Sequence, residues 1–391
     1  MHEEQIGRTR TTSARERRIA ARCLSHEDFR RAARRALPRM AFDFIDGGAG
    51  EERGLGRNVE GFAKLCLVPR AFRNVSIRDQ STELFGKTWA SPFAIAPMGL
   101  VNILHPKGDL ILARCARDAG IPYCLSTAAS TTIEDIARAV DGAELWFQLY
   151  VLEETSANWL MQRAENAGVS TLVLTIDVVV NGERRRDERN HFSLPLRITP
   201  RMAFDVVTHP RWSLKQAFYG PPRVAHYDNR SLSMEAQLRL MRREMEAGFD
   251  WDALRRLRDR WKGSLIVKGL LREDDVRRCF EAGVDAVVLS NHGARQLDEA
   301  PAPIDQLRWF GPTPGGPLLL DSGVREGGDV LKALALGARG VLIGRPLLYA
   351  LAAAGEAGVR AMLELLRSQL DRSLALTGCS TIGEAGLDLV Q

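Results

Sequence analysis

Short apolar runs alternate with helical patterns along most of the chain after Pro92. The apolar runs cover residues 92–98, 123–127, 144–151, 171–178, 264–270, 286–292, 317–323 and 340–345. Patterns with helical periodicity lie at 108–119, 132–140, 156–167, 272–282, 328–336 and 358–375. Since continuous apolar strands are buried on both faces of a parallel sheet, this alternation predicts an α/β fold, a closed (β/α)8 TIM barrel. An open doubly wound sheet is the alternative.

Two segments lie outside this repeat. Ser25-His26-Glu27-Asp28 has the pattern of a capping box, and a second helical stretch follows Pro38, so we expect an N-terminal helical cover on one barrel end. About 85 residues separate the fourth strand from the fifth, far more than one loop and one helix need. We therefore expect a long insertion after strand 4. Arginines and aromatic residues mix over 180–232, and helical periodicity returns over 235–260.

The composition is that of a globular protein and gives no sign of a nucleic-acid partner, a metal site or a disulfide framework. The chain has 391 residues, of which 45% are hydrophobic and 26% charged. Its 54 Lys and Arg exceed its 49 Asp and Glu by only five, so the charge does not indicate a nucleic-acid partner. The six cysteines form no C-x-x-C pair, which predicts neither a metal site nor a disulfide framework and fits a reducing compartment.

The expected organisation has three parts. They are a disordered leader at 1–24, a barrel domain at 25–385 with a lid or membrane-contact insertion at 180–232, and a tail at 386–391. The leader is rich in arginine, contains glutamates and lacks the apolar core of a secretory signal. No run reaches the roughly 18 uninterrupted apolar residues of a membrane span. We expect a cytoplasmic protein that does not cross a bilayer.

Polar or small residues follow nearly every predicted strand. They are Met98 with Gly99, Ser126, Gln148 with Tyr150, Thr175 with Asp177, Lys268, His292 with Arg295, Asp321 with Arg325, and Gly344 with Arg345. The carboxyl ends of barrel strands meet at one rim, where the active sites of this architecture lie. Because unpaired buried polar groups cost free energy, the pattern predicts a ligand site at this rim.

His292 is the predicted catalytic residue. It ends an apolar strand, a glycine follows it, and Arg295 comes three residues later. This spacing places a proton acceptor beside a fixed cation, as needed to hold and deprotonate an acid. Asp177 would orient the imidazole, although a structural turn aspartate is the alternative.

Two glycine-rich loops predict a phosphate site. Residues 321–328 (DSGVREGG) follow the seventh strand and 344–346 (GRP) follow the eighth, where TIM barrels bind phosphate through backbone N–H groups and a helix N-terminus. Lys268 in the barrel mouth needs a negative partner, either a cofactor that becomes anionic on reduction or a rim carboxylate such as Asp321. Ser126, Gln148 and Thr175 are suited to the edge of a planar heterocycle.

Several motifs resemble the FMN-dependent L-2-hydroxy acid oxidases and dehydrogenases. They are SNHGARQLD at 290–298, DSGVREGGD at 321–329, ALALGARGVLIGRP at 333–346, IAPMG at 95–99 and FQLY at 147–150. The resemblance extends over about residues 25–385. Segments 180–187, 209–214 and 251–255 are most similar to the mandelate dehydrogenases of that family.

The resemblance implies FMN as the cofactor and a role for each matching residue. His292 would be the base and Asp177 its partner, while Arg184 and Arg295 would bind the substrate carboxylate and Tyr150 its hydroxyl or carboxylate. The residues implied around the isoalloxazine and ribityl chain are Ala96, Met98, Ser126, Gln148, Thr175, Lys268, Ser290 and Asp321. Those implied at the phosphate are Gly323, Arg325, Gly344 and Arg345.

The chain departs from the family pattern at Phe44 and Glu326. A tyrosine whose hydroxyl contacts the substrate usually stands at the position of Phe44, and relatives often have an arginine at that of Glu326. Gly99 and Ala128 carry almost no side chain near the expected flavin face. Their size leaves room for an aryl or long aliphatic substrate, although tight turns also demand small residues.

The implied activity is oxidation of an L-2-hydroxy acid, aryl or bulky as in mandelate, to the 2-oxo acid. A quinone or similar electron acceptor is expected, with oxygen as an alternative, and L-lactate is an alternative substrate. The insertion suits peripheral contact with the inner face of a membrane, or forms a solvated lid. The resemblance also implies a homotetramer, because relatives form tetramers. Two other classes remain open, a flavin-free isomerase or lyase and an FMN-binding sensor without turnover.

Overall fold

The computed structural model describes residues 12–192, 199–220, 223–227, 236, 239, 242, 244–310 and 315–391. Two strands, β1 (Thr82–Leu84) and β2 (Lys87–Trp89), form a small antiparallel pair. The strands that follow are β3 (Phe93–Ile95), β4 (Tyr123–Ser126), β5 (Leu145–Leu149), β6 (Thr171–Thr175), β7 (Ser264–Leu270), β8 (Ala286–Leu289), β9 (Leu318–Leu320) and β10 (Gly340–Ile343). Each of these lies within a run predicted to be a strand.

Strands β3–β10 form a closed parallel barrel. Each pairs with its neighbour along the chain, and β10 closes the ring on β3 through Val341↔Phe93 and Ile343↔Ile95. Alternate residues such as Ala94, Trp146 and Val173 form an inner core, while their chain neighbours join the core between strands and helices. The predicted TIM barrel is confirmed, and the open sheet is wrong.

The β1–β2 hairpin closes the amino-terminal end of the barrel. The ring of Trp89 lies 5.4 Å from that of Trp146 inside the barrel, and both side chains are buried. A side chain at Gly340 would contact the Trp89 ring at 3.2 Å, so the hairpin packs closely on β10. The carboxyl ends of the strands therefore form the open rim.

Helices surround the barrel, and each predicted helical stretch contains one. They are α1 (Ala14–Arg22), α2 (His26–Ala36), α3 (Arg39–Asp46), α4 (Arg53–Ala63), α5 (Gly108–Asp118), α6 (Ile133–Ala139), α7 (Glu154–Asn166), α8 (Arg185–Arg189), α9 (Pro200–Thr208), α10 (Pro210–Tyr219), α11 (Trp251–Arg260), α12 (Glu273–Glu281), α13 (Pro303–Phe310), α14 (Gly327–Ala335) and α15 (Arg345–Thr377). Helices α4, α8, α9, α10 and α13 were not predicted, and residues 244–250 within the predicted helical stretch 235–260 are not helical. Helix α15 is broken at Ala354 and Gly355, where Gly355 has a φ of 55°.

The leader is more ordered than expected. Residues 1–11 lie outside the described residues, but Ala14–Arg22 forms helix α1 where disorder was predicted. Ser13 and Glu16 form a capping box at its start, and Ala20 is buried. Charge composition misled the prediction because it does not register a cap or a short apolar stripe that packs on another helix.

Helices α3 and α4 of the N-terminal cover reach the open rim. The backbone N–H of Ala49 donates to the carbonyl of Ala294 in the loop after β8 at 2.9 Å. In the same loop, the Asp298 carboxylate accepts from the N–H groups of Glu51 and Gly54 at 3.0 and 2.7 Å. The cover is therefore hydrogen-bonded to the segment that follows His292.

The insertion after β6 contains helices α8, α9 and α10 and a short 3-10 helix at Ala225–Tyr227. Trp212 of α10 donates from Nε1 to the carbonyl of Ile103 at 2.6 Å, which ties this helix to the loop after β3. Among the helices that the structure describes, none is long and apolar enough to span a membrane. The tail at 386–391 packs back on the protein, with Leu389 buried and Val390 bridged to Leu67.

Candidate active site

One cavity at the open rim brings together most of the predicted site residues. Those that line it are Phe44, Ala96, Met98, Gly99, Ser126, Tyr150, Thr175, Arg184, Lys268, His292, Arg295, Asp321, Gly323, Arg325, Gly344 and Arg345. Gln148, Asp177 and Ser290 lie directly behind this wall, hydrogen-bonded to Ser126, His292 and Lys268 respectively. The sequence did not predict that Leu152, Val178, Val224 and Glu244 also line the cavity.

The turn after β8 aims the His292 ring. His292, Gly293 and Ala294 have φ values of 57°, 65° and 56°, a left-handed run that is uncommon outside glycine and found at functional sites. The Ser290 hydroxyl accepts from the His292 N–H at 3.0 Å, and the Gly293 N–H donates to the Ser322 hydroxyl at 2.8 Å. These hydrogen bonds hold the strained turn in one conformation.

His292 lies between a carboxylate and a phenol. Its Nδ1 is 2.8 Å from Asp177 Oδ1, and its Nε2 is 3.4 Å from the Tyr150 hydroxyl. Burial lowers the pKa of His292, and Asp177 offsets only part of that shift. Burial would raise the pKa of Asp177, but His292 and Lys268 more than compensate and lower it. An ionised Asp177 can only accept, so Nδ1 carries the proton and Nε2 is the basic atom.

Tyr150 remains a phenol at neutral pH. Burial, followed by the charge of Asp177, raises the pKa of Tyr150 to about 12. Its hydroxyl is therefore a hydrogen-bond donor on the cavity wall beside Nε2 of His292.

Arg184 and Arg295 are held by the backbone and by Gln296. Arg295 donates from Nη1 to the carbonyl of Gly47 at 2.9 Å. Arg184 donates from Nε to the Arg295 carbonyl at 3.2 Å and from Nη2 to Gln296 Oε1 at 3.0 Å. Gln296 in turn donates to the Asp177 carbonyl at 3.2 Å. No role was predicted for Gln296, although it lies within the SNHGARQLD motif.

Phe44 lies beside this arginine pair. Its ring centroid is 4.8 Å from that of Phe192 and 5.3 Å from the guanidinium carbon of Arg295. The aromatic face thus contacts the cation where a tyrosine hydroxyl would otherwise be available.

Lys268 is paired with Asp321, the rim carboxylate named as one alternative from the sequence. Its Nζ lies 3.0 Å from Asp321 Oδ2 and donates to the Ser290 hydroxyl at 2.8 Å. Burial opposes the charge of Lys268, but Asp321 and Asp177 more than compensate and raise its pKa. Since Lys268 also lines the cavity, the same ammonium faces any bound ligand.

The loops after β9 and β10 form a cradle for an anion. Burial, followed by the charge of Arg345, lowers the pKa of Arg325, so two guanidinium groups lie near each other on this wall. Gly323 has a φ of 102°, and a Cβ there would lie 2.4 Å from the Asn58 carbonyl oxygen, which requires glycine. Gly344 precedes the N-terminus of α15, whose N–H groups favour an anion.

Glu326 has little influence on this cradle. Its side chain is exposed at the start of α14, outside the residues that line the cavity. This departure from the family pattern therefore changes the protein surface beside the loop after β9.

Gly99 serves close packing as well as space. A Cβ at Gly99 would lie 2.8 Å from that of Ala128, and the next residue, Leu100, donates to the Ala128 carbonyl at 2.9 Å. The small residues are therefore explained both by the close contact of the two loops and by the space that Gly99 and Ala128 leave where they line the cavity.

Residues 33–391 match the family model described as FMN-dependent dehydrogenase. The chain belongs to the FMN-dependent dehydrogenase family. It is 46% identical over 366 residues to (S)-mandelate dehydrogenase of Pseudomonas putida, with 93% of each chain covered. It is 39% identical over 368 residues to L-lactate dehydrogenase of Pseudomonas aeruginosa, covering 92% of this chain and 96% of that one.

Solved structures of related enzymes share this architecture. The crystal structure of the monotopic membrane protein (S)-mandelate dehydrogenase matches with a TM-score of 0.91 at 46% identity, over 95% of this chain and 99% of that one. Mandelate oxidase with (S)-2-phenylpropionate matches with a TM-score of 0.80 at 36% identity, over 94% and 98% of the two chains.

The polar groups of this FMN-dependent dehydrogenase fit its cofactor. Gln148 Oε1 accepts from the Ser126 hydroxyl at 2.9 Å. Gln148 Nε2 and Thr175 Oγ1 are buried and have no hydrogen-bond partner among the described residues. Buried polar atoms of this kind need a partner, and the polar edge of a flavin supplies donors and acceptors. The cradle near Arg325 and Arg345 suits its phosphate.

The buried Lys268–Asp321 pair generates a stability prediction. Lys268→Met leaves the Asp321 carboxylate buried without its cation, so we expect the free energy of unfolding of the FMN-free protein to fall by about 3–5 kcal/mol. Lys268→Met combined with Asp321→Asn should recover most of this loss. Urea unfolding followed by circular dichroism measures both, with the exposed Lys262→Met as control. A double variant no more stable than Lys268→Met would contradict the prediction.

Proposed function

We propose that this dehydrogenase oxidises an L-2-hydroxy acid with a bulky, mandelate-like side chain to the corresponding 2-oxo acid. One observation above all supports it: His292, with Nδ1 bonded to Asp177 and Nε2 beside the Tyr150 hydroxyl, lines the same cavity as Arg184 and Arg295. An acid is held by the cations and meets a base beside them. The relatives named as mandelate and lactate dehydrogenases agree with this chemistry.

FMN is bound by residues that line the cavity and by residues directly behind its wall. Gly323, Arg325, Gly344 and Arg345 hold its phosphate, and Asp321 binds the ribityl hydroxyls. The residues around the isoalloxazine are Ala96 and Met98 through their backbones, with Ser126, Gln148, Thr175, Lys268 and Ser290. When bound, FMN supplies the acceptor for the two electrons of the reaction.

Arg184 and Arg295 bind and orient the substrate carboxylate. Their guanidinium groups are held by the hydrogen bonds to Gly47 and Gln296, so little side-chain freedom is lost on binding. Tyr150 donates a hydrogen bond to the substrate hydroxyl or carboxylate. Fixing both ends of the reacting group converts the encounter into a positioned reaction.

His292 accepts a proton of the substrate, from its α-carbon or from its hydroxyl, at Nε2. Asp177 then stabilises the imidazolium through the 2.8 Å contact to Nδ1. Lys268 keeps a positive charge beside the proposed isoalloxazine site, where added electron density is favourable. Burial lowers the pKa of His292, so the base remains neutral at a lower pH than an ordinary histidine would.

The cavity walls support a bulky substrate. Leu152, Val178 and Val224 provide apolar surface, while Gly99 and Ala128 leave space opposite the reacting face. An aryl group buries more apolar area on such walls than the methyl group of lactate.

The electron acceptor is a quinone or similar molecule reached at a membrane surface. Helices α9 and α10 expose apolar side chains to solvent, among them Phe204 at 72%, Leu214 at 71% and Phe218 at 72%. Such a patch on an inserted segment suits peripheral contact with the inner face of an anionic bilayer, with the rest of the enzyme in the cytoplasm. The related (S)-mandelate dehydrogenase is a monotopic membrane protein.

The enzyme assembles as a homotetramer. Exposed apolar side chains on two neighbouring segments, including Phe72, Ile77 and Leu376, support a subunit interface away from the active site. The backbone N–H of Arg70 donates to the Thr377 carbonyl at 3.2 Å, which places these segments side by side. Light scattering of the purified protein measures the subunit number.

Anaerobic bleaching of the flavin tests the proposed activity. We expect mandelate to bleach FMN-loaded enzyme faster than lactate or glycolate does. His292→Asn should keep its FMN but bleach about 10²- to 10⁴-fold more slowly, because the base is lost. The exposed His191→Asn serves as control.

Other outcomes of the bleaching experiment separate the competing functions. FMN-loaded protein that no 2-hydroxy acid bleaches would indicate a sensor. Protein that takes up no FMN would indicate a flavin-free barrel enzyme. Faster bleaching by glycolate than by mandelate would contradict the bulky substrate.

Phe44→Tyr tests the departure from the family pattern. The added hydroxyl offers a hydrogen bond to the substrate carboxylate, so we expect the KM to change by about 10- to 100-fold while the wild-type chain is already active. Phe192→Tyr, on the partner ring outside the cavity lining, is the matched control. An inactive parent enzyme that Phe44→Tyr activates would show that the proposed role of Phe44 is wrong.

Flotation with vesicles tests the membrane contact. We expect the wild-type protein to float with phosphatidylglycerol vesicles and Phe204→Ser combined with Phe218→Ser to remain in the dense fraction, because burial of each ring favours the bilayer by about 1.5–3 kcal/mol. Trp309→Ser, at another exposed apolar residue, should float like the wild type. Equal flotation of all three proteins would exclude this contact surface.

A further inference from the structure

Glu244 is a carboxylate in the cavity wall to which the proposed mechanism assigns no role. Among the described residues that line the cavity, the other carboxylate is Asp321, which is paired with Lys268. The Glu244 side chain has no ion pair or hydrogen bond within the described part of the chain, where only its backbone N–H is bonded, to the Arg239 carbonyl at 2.9 Å. No cation or hydrogen-bond donor among the described residues therefore pairs with the carboxylate of Glu244.

The segment that carries Glu244 is fixed on the rim. The next residue, Met245, is buried and donates to the Val178 carbonyl at 2.9 Å. Glu246 donates to the Val151 carbonyl at 2.7 Å, and its carboxylate accepts from Arg239 Nη2 at 3.0 Å. Met245 and Glu246 thus bond to the loops that follow β6 and β5, and they fix the position of the adjacent Glu244.

Apolar residues line part of the cavity that contains Glu244. They include Leu152, Val178 and Val224, and Ala128 and Gly99 add little side chain. A half-buried carboxylate costs free energy in such surroundings unless a donor meets it. A ligand that carried only hydrocarbon to this wall would remove water from the carboxylate and return no hydrogen bond.

Glu244 lies near the place proposed for the side chain of the substrate. Val178, whose carbonyl anchors Met245, directly follows Asp177, the partner of His292. With the substrate carboxylate on Arg184 and Arg295 and its reacting carbon at His292, we place the side chain on the apolar residues Leu152, Val178 and Val224. Because Met245 is bonded to Val178, Glu244 is then near the far end of an aryl side chain.

We propose that Glu244 selects substrates whose side chain carries a hydrogen-bond donor at its far end, such as a phenolic hydroxyl or an ammonium group. This inference rests on the proposed function and goes beyond it by naming the substrate class. An aryl ring satisfies the apolar wall, and the donor satisfies the carboxylate. Substrates with a second carboxylate are repelled at the same place.

Steady-state kinetics with matched substrates test Glu244. The measured quantity is the ratio of kcat/KM for 4-hydroxymandelate to that for mandelate, in the wild type, Glu244→Gln and Glu244→Leu. We expect Glu244→Leu to lower this ratio by about 10- to 100-fold through KM, the effect of one hydrogen bond to a charged group. Glu244→Gln, which keeps an acceptor without charge, should lie between. The electronic effect of the hydroxyl on the reaction cancels when the ratios are compared across variants.

A control and the contrary outcomes complete the experiment. Glu188→Leu, at an exposed glutamate of α8, should leave the ratio unchanged. Turnover of both substrates with the same ratio in the wild type and Glu244→Leu would overturn the role of Glu244 while the proposed function stands. Absence of turnover with every 2-hydroxy acid in the FMN-loaded wild type would overturn both.

Discussion

Compensation of buried charge at one barrel rim is the constraint on which the active site depends. Asp177 is paired with His292 at 2.8 Å, and Lys268 with Asp321 at 3.0 Å. Either carboxylate alone would be costly in this cavity, and either base would lose its charge or its orientation without its partner. The carboxylates keep Lys268 cationic, while burial lowers the pKa of His292 by more than Asp177 raises it, so the cavity has both a positive charge and a proton acceptor.

The chain holds this rim rigid from outside the barrel. Oδ1 of Asp46, at the end of α3, accepts from Arg30 and from the Tyr349 hydroxyl of α15, and its Oδ2 accepts from Arg186. Arg186 lies two residues after Arg184, so the cover helices also fix the chain next to Arg184. Burial would raise the pKa of Asp46, but its partners lower it to about 2, and the network remains charged at physiological pH.

The sequence predicted most accurately those reactive side chains that lie at the ends of apolar strands. His292 and Arg325 were predicted because each follows an apolar strand whose end must lie on the rim, and Lys268 because it lies near the end of another. Gln296 was missed because it lies in a loop, where no periodicity shows which way a side chain points. Glu244 was missed because its segment was predicted to be helical, whereas residues 244–250 form a loop. Helix α1 was missed because arginine-rich composition outweighed its cap.

The sequence by itself determined the barrel, the rim and the residue types on it, because burial on both faces of a strand and polar strand ends leave a pattern along the chain. The tertiary structure decided which of these groups are partners. It paired Lys268 with Asp321, set the Asp177–His292 geometry, and brought Glu244 from beyond the insertion into the same wall. Such pairings join residues distant in the chain, and only the closure of the barrel and the packing of loops on its rim determine their distances.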